Sequence, residues 1–202
     1  DAGKGSNYWS VGDAKGITIN GKVGATTFSN LAISVFILDF NHNASREGSN
    51  RIHFQIGKIN GTLVGLVDGN YSNYTSTTGA FTMNTSNTNS GGWNNSHMRK
   101  TVLGSNSASA TSPAANTLLA ALPADLRAVM KPATKYSDNT GGGSDTASYV
   151  TSTTDLLPLL SEFEYHGVRS YANSAEKNYQ AQYDYYRAGN SKVHYRHNAT
   201  GT

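Results

Sequence analysis

Four side chains of metal-binding or acid–base type fall close together early in the chain: Asp39, His42, Glu47 and His53. Carboxylates and imidazoles are the residue types that hold zinc or relay protons, but their spacing matches no standard ligand pattern. They therefore read better as polar residues around a loop, and no metal is expected. Glu162 and Glu164 form a second candidate. Two residues apart, they would share a face on a strand and could work as a carboxylate pair, whereas on a helix they would diverge. General acid–base work also needs a cleft and a raised carboxyl pKa. The run "TGGGS" at 140–144 lacks the Lys-Ser/Thr of a phosphate loop, and no G-x-S-x-G elbow is present. No catalytic residue and no cofactor follow from these patterns.

Tyrosines offer a different chemistry. Tyr179, Tyr183, Tyr185, Tyr186 and Tyr195 crowd one stretch near the C-terminal end. Tyr179, Tyr183 and Tyr186 fit a helical stripe and are expected to pack inward, with Ser174 as the helix cap. Tyr185 and Tyr195 are left freer. With Tyr179 they make the candidate ligand-binding set, because amphipathic rings suit a carbohydrate or protein partner. A core closed by partly buried tyrosines is the structural alternative. The segment "TSNTNSGGWNNSHMR" (85–99) raises the same choice. Gly91 and Gly92 supply turn geometry, and Trp93 reads as a structural anchor at the start of a helix. Asn94, Asn95 or Ser96 would cap that helix.

The elements that must hold these residues can be sketched. Ile17, Ile19 and Val23 flank Asn20-Gly21, a hairpin signal. "LAISVFILDF" (31–40) is apolar on both faces, as a central strand is. "RIHFQIGK" (51–58) alternates, with Ile52, Phe54 and Ile56 opposite His53, Gln55 and Gly57. "TLVGLVDG" (62–69) continues the β-rich half. Further along, Ser96 to Leu103 fits a short helix with His97, Arg99 and Lys100 facing water. Residues 117–132 fit two helices separated at Pro123 and stopped before Pro132. The stretch 137–148 reads as a loop. Strands followed by short helices make an α+β pattern.

Composition sets limits. The 202 residues suit one domain, charged residues are only 14% and the net charge is +3, so the polarity is mostly Gly, Ser, Thr, Asn and Tyr. This bias is also that of evolved binding loops. The densest basic points are "MRK" (98–100) and "HYRH" (194–197), too dispersed for a nucleic-acid face, so no nucleic-acid partner is expected. Cysteine is absent, which excludes disulfides and thiol chemistry. No apolar run reaches membrane-spanning length, so no membrane partner is expected. The several Asn-x-Ser/Thr matches are expected by chance in so Asn-rich a chain.

Several segments together carry a resemblance: "YWSVGD" (8–13), "VFILDFNHN" (35–43), "RIHFQIGK" (51–58), "MNTSNTNSGGWNNSHMR" (83–99), "LPADLRAVMKPATKY" (122–136) and "TTDLLPLLSEFEYHG" (153–167). The chain resembles DUF6273-type modules of tail-associated proteins from phages and prophages of Gram-positive gut bacteria. That family is similar to the C-type-lectin-like fold of variable proteins and of formylglycine-generating-enzyme relatives. The resemblance implies an α+β, C-type-lectin-like module of antiparallel strands and short helices, with a flexible segment 1–7 and a single domain over 8–202. It implies a non-enzymatic receptor-binding or adhesion role in a phage tail fibre or tail tip, a bacterial surface glycan or protein as ligand, and other tail-protein chains, by analogy a homotrimer, as partners. The location would be the virion or the extracellular space. Family members continue past "ATGT" with a segment that carries the display face, so a C-terminally truncated domain with an uncovered apolar face is expected. A bacterial surface adhesin of the same fold is one alternative. A glycan or cell-wall hydrolase using Glu162 and Glu164 is the other. Oxidase chemistry of the formylglycine type is disfavoured by the missing thiols.

Overall fold

The computed structural model describes residues 3–23, 26–66 and 83–196. Its architecture is α+β: antiparallel strands with short helices. The strands β1 (Ala14–Val23), β2 (Thr26–Phe40), β3 (Ile52–Ile59) and β4 (Thr62–Gly65) form an antiparallel meander, and β7 (Tyr195–Arg196) joins β4 in parallel. A separate antiparallel hairpin pairs β5 (Ala133–Asp138) with β6 (Val150–Asp155). The helices are single turns or little more: α1 (Ala44–Glu47), α2 (Gly92–Asn95), α3 (Leu118–Ala121), α4 (Ala124–Val129), α5 (Glu162–His166) and α6 (Asp184–Arg187). Among the described residues no helix is long and apolar enough to cross a membrane.

The long apolar run is the central strand. β2 is flanked by β1 and β3 and is buried continuously from Val35 to Asp39. Val35 and Ile37 face one side. Phe36 and Leu38 face the other, where Tyr183, Tyr185 and Tyr186 cover them. The second core lies on the Ile33 side and gathers Ile19, Val23, Met98, Val102, Leu119 and Leu122.

The Asn20-Gly21 signal has a different outcome. Both residues lie inside β1, and the chain reverses between Val23 and Thr26. The register slips between Ile19 and Gly21, where Gly21 has φ +133° and Asn30, on the partner strand, has φ 50°. The pair of turn-forming residues thus makes a bulge, which adds twist without ending the strand. At the other end, residues 5–7 form a 3₁₀ turn with Gly5 buried, so packed structure begins before Tyr8. The expected "TLVGLVDG" strand is present as far as Gly65; residues 67–69 lie outside the described set.

Helix signals hold locally. Thr117 Oγ1 accepts from Ala120 N–H and caps α3. Ser161 and Glu164 form a reciprocal capping box on α5, satisfying two otherwise free N–H groups. The helix expected from Ser174 through the Tyr179, Tyr183 and Tyr186 stripe is instead two pieces: a 3₁₀ turn over Ser174–Asn178, capped by Asn173 and not Ser174, and α6. β5 and β6, without alternating apolar residues, had no sequence signal.

Candidate binding cleft

Part of the sheet face that carries Val35 and Ile37 is not covered by the second core. Ile37 pairs with Phe54 and Val35 with Ile56, so these four share one surface. They floor a cleft of about 1540 Å³. Leu122, Leu126, Met130 and Leu157 wall one side. Trp9, Leu159 and Tyr171 stand at its margins, with 53%, 43% and 97% of their surface exposed, and Phe54 is 49% exposed. Large apolar groups gathered round a concave site and left in water are unusual for a folded domain and mark binding surfaces.

One end of the cleft reaches round to the Phe36 side of the sheet, and there it is polar. His194 contacts the Tyr165 hydroxyl through Nδ1 (2.8 Å) and Gln55 Nε2 through Nε2 (3.0 Å). Tyr186 donates its hydroxyl to Gln55 Oε1 at 2.6 Å, and Tyr165 donates to the Lys192 carbonyl. Burial pushes the Tyr165 and Tyr186 phenols up and the His194 imidazole down.

Behind the floor, on the opposite sheet face, the four early candidates meet. Asp39 Oδ2 lies 2.8 Å from His42 Nδ1, and its carboxylate also accepts from the N–H groups of Phe40 and Asp184. Burial pushes the Asp39 carboxyl up, but the bonds from His42 and Asp184 outweigh it and hold the group below its usual range. His42 stacks on Tyr183 at 3.8 Å, and the Tyr183 hydroxyl meets His53 Nδ1 at 2.9 Å. Glu47 Oε2 lies 3.2 Å from His53 Nε2 but out of hydrogen-bonding geometry. Burial raises the Glu47 carboxyl; His53, the Thr134 N–H and Arg51 together lower it further than burial raises it. Tyr183 is pushed well up by burial and by the nearby Glu164, Glu47 and Asp39 charges. The cluster therefore runs between strand end, loop, β3 and α6. His42 Nε2 and Glu47 Oε2 are buried without a hydrogen-bond partner. Among the described residues no group of three or more such side chains is placed to hold a metal ion.

The remaining candidates sort as follows. Tyr185 is buried, its ring 4.9 Å from Phe36, and is not the free ring its spacing suggested. It lies on the inner side of α6 because the predicted long helix is broken, which rotates the stripe so that Tyr183, Tyr185 and Tyr186 all face inward. Tyr179 is half-buried, stacked on Tyr136 at 4.1 Å with the Arg46 guanidinium over both rings. Tyr195 is 63% exposed and sits in β7. The three do not form one surface patch.

Trp93 packs against the second core and donates its indole N–H to Asp155 Oδ2 at 3.0 Å. Gly91 is left-handed, and a Cβ on Gly92 would lie 2.0 Å from the Asp138 carbonyl oxygen. Ser96 Oγ accepts from Arg99 N–H. Arg99, expected in water, is buried: its Nε donates to Asp155 Oδ1 at 2.6 Å. The cause is a wide turn over Met98–Val102, in which Leu103 N–H bonds Met98 O and swings Arg99 inward. Glu162 and Glu164 diverge on α5. Glu162 accepts from the N–H groups of Ala172, Tyr171 and Ser170, which lower its carboxyl pKa, while Glu164 is buried against Lys135. The two carboxylates do not face one another.

Trp9, Phe54, Leu159 and His194 were not singled out as a site in the sequence. They come from four distant segments, and only fold topology joins them. The signals available were an apolar "YW" ahead of the first strand and a histidine that read as part of a basic cluster. Against protein-family models, curated proteins and solved structures, the chain finds no match.

Proposed function

We propose that this chain is a non-enzymatic adhesion module of the kind carried by bacteriophage tail fibres or tail tips, binding a bacterial surface glycan or protein through the open cleft. The carrying observation is the aromatic and aliphatic rim: Trp9, Phe54, Leu159 and Tyr171 remain exposed around a concave apolar floor. Rings presented edge and face to water bind sugar and side-chain surfaces at low cost in conformational entropy. The nearby carboxylates support the same reading, since Glu162 and Glu164 are committed to backbone and Lys135 partners. The sequence resemblance to tail-associated modules, with its C-type-lectin-like fold, points the same way.

The test is binding of the labelled chain to whole Gram-positive cells, with glycan-stripped cells as control and Trp9→Ala as the cleft variant. Saturable binding that Trp9→Ala weakens by tenfold or more, an effect of about 1.4 kcal/mol, is expected. Binding that persists unchanged in Trp9→Ala places the site elsewhere on the chain, and absence of binding to every host removes the adhesion reading.

A further inference from the structure

The chain of hydrogen bonds at the polar end of the cleft has a direction. Tyr165 O–H is used on the Lys192 carbonyl, so its oxygen must accept from His194 Nδ1–H. Tyr186 O–H is used on Gln55 Oε1, so the Gln55 amide must present its N–H to His194 Nε2. The arrangement closes with the neutral Nδ1–H imidazole. A second proton, on Nε2, would face the Gln55 NH₂: donor against donor. Turning the amide over would cure that clash but would redirect the Tyr186 hydroxyl, and Tyr186 is only 1% exposed.

His194 immediately precedes β7, the two residues that extend the sheet by pairing Tyr195 with Val64 and Arg196 with Gly65. Two ladder positions are a weak attachment by themselves. The segment before them is held from α5 by Tyr165, from β3 by Gln55, and by Lys192 Nζ on the Tyr186 carbonyl at 3.3 Å. We propose that His194 is a proton-operated catch: neutral, it fastens β7 to the sheet; protonated, it releases β7, uncovering the β4 edge and opening the polar end of the cleft.

Among the described residues the surroundings offer the imidazolium no counter-charge. From α5 the titratable neighbours are Tyr165 and, against its ring, His166; from α6 they are Tyr186 and Tyr185. On β3 the adjacent group is uncharged Gln55, and His53 two residues earlier is engaged by Tyr183 and Glu47. β4 brings no titratable side chain, and on its own segment His194 has Lys192, itself a cation. None of these is a carboxylate. Burial lowers the His194 value from its ordinary 6.5, and a hydrogen bond to the Lys192 backbone offsets part of that effect. The sign follows: a depressed imidazole contributes its stabilisation above pH 6.5 and loses it as pH falls through the depressed value.

The experiment is amide hydrogen exchange of residues 190–196 in the full chain at about pH 7.5 and about pH 5, normalised to unstructured rates. Protection within residues 194–196 should drop by about tenfold at the lower pH. His194→Gln, which can accept from Gln55 and donate to Tyr165 without titrating, should keep protection at both. Unchanged wild-type protection overturns the proposal, and so does an equal loss in His194→Gln. Should that variant leave the segment unprotected throughout, Gln55→Glu decides. A carboxylate opposite Nε2–H should turn the acid loss into a gain, and an undiminished acid loss there also overturns the catch.

Discussion

The two faces of the sheet are closed by different means. On the Phe36 side, Tyr183, Tyr185 and Tyr186 lie over Phe36 and Leu38. Their polar ends are fixed, Tyr183 to His53 and Tyr186 to Gln55, while Lys58 sits 4.1 Å from the Phe36 ring centroid. On the Ile33 side, aliphatic side chains from β1, α3 and the Met98–Val102 turn pack at one end, and among the described residues the other end borders the cleft. Directional bonds admit one arrangement of the tyrosine face. Apolar contact is non-directional, so the aliphatic face can be finished by a ligand as readily as by the chain's own side chains. That is why the proposed site sits where the core is most generic.

The largest effect should come from a polar knot that anchors the aliphatic face. Asp155 is fully buried and receives Arg99, Trp93, Thr153 and Ser105. Asp155→Ala leaves the Arg99 guanidinium buried without its counter-ion, at a cost of about 3–5 kcal/mol. Urea unfolding monitored by circular dichroism measures it. A loss below about 1 kcal/mol, the scale of an exposed ion pair, would mean that aliphatic packing alone closes this face and would sharpen the contrast further.

On the tyrosine face, Tyr186→Phe keeps the ring and removes one donor. Gln55 Oε1 then lacks its partner, for about 1–3 kcal/mol in the same unfolding assay. Because Gln55 is free to turn in this variant, the β7 segment should also exchange faster. An unchanged stability would show that the phenols fill space and fix nothing, which would erase the distinction between the faces.

The same distinction explains what the sequence made legible. The β2 run announces itself because a strand buried on both sides must be apolar at consecutive positions. The alternation in β3 shows its two faces, and the cap at Ser161 and the turn at Gly91-Gly92 are local chemistry. The polar knots are not local. Arg99 looks solvent-exposed because its partner is Asp155, 56 residues on, and the wide turn that buries it leaves no periodic trace. Asp39, His42, Glu47 and His53 look like scattered loop residues because Tyr183, the ring that joins the two histidines, lies 130 residues from His53. Tyr185 looks free only if α6 is extended backwards into a helix that the chain does not form. The cleft is the least legible feature, since its rim residues share no spacing and acquire a common role only through strand register.

The smallest effect on stability should come from that rim, and there it carries the most information. Phe54 sits mid-strand opposite Ile37, yet 49% of its surface is in water. Phe54→Thr retains β propensity and gives up only a half-buried ring, so the expected loss is about 1 kcal/mol or less. Binding to cells should fall well beyond that, since the ring is part of the floor that the proposed ligand would cover. The two readouts separate the possibilities. A loss of about 3 kcal/mol or more would make Phe54 a core residue by the scale of buried Phe truncations. The aliphatic face would then be as closed as the tyrosine face, and no room for a ligand would remain on it. Little change in stability together with lost binding would establish the asymmetry as functional: one face folded to completion, the other left for a partner to complete.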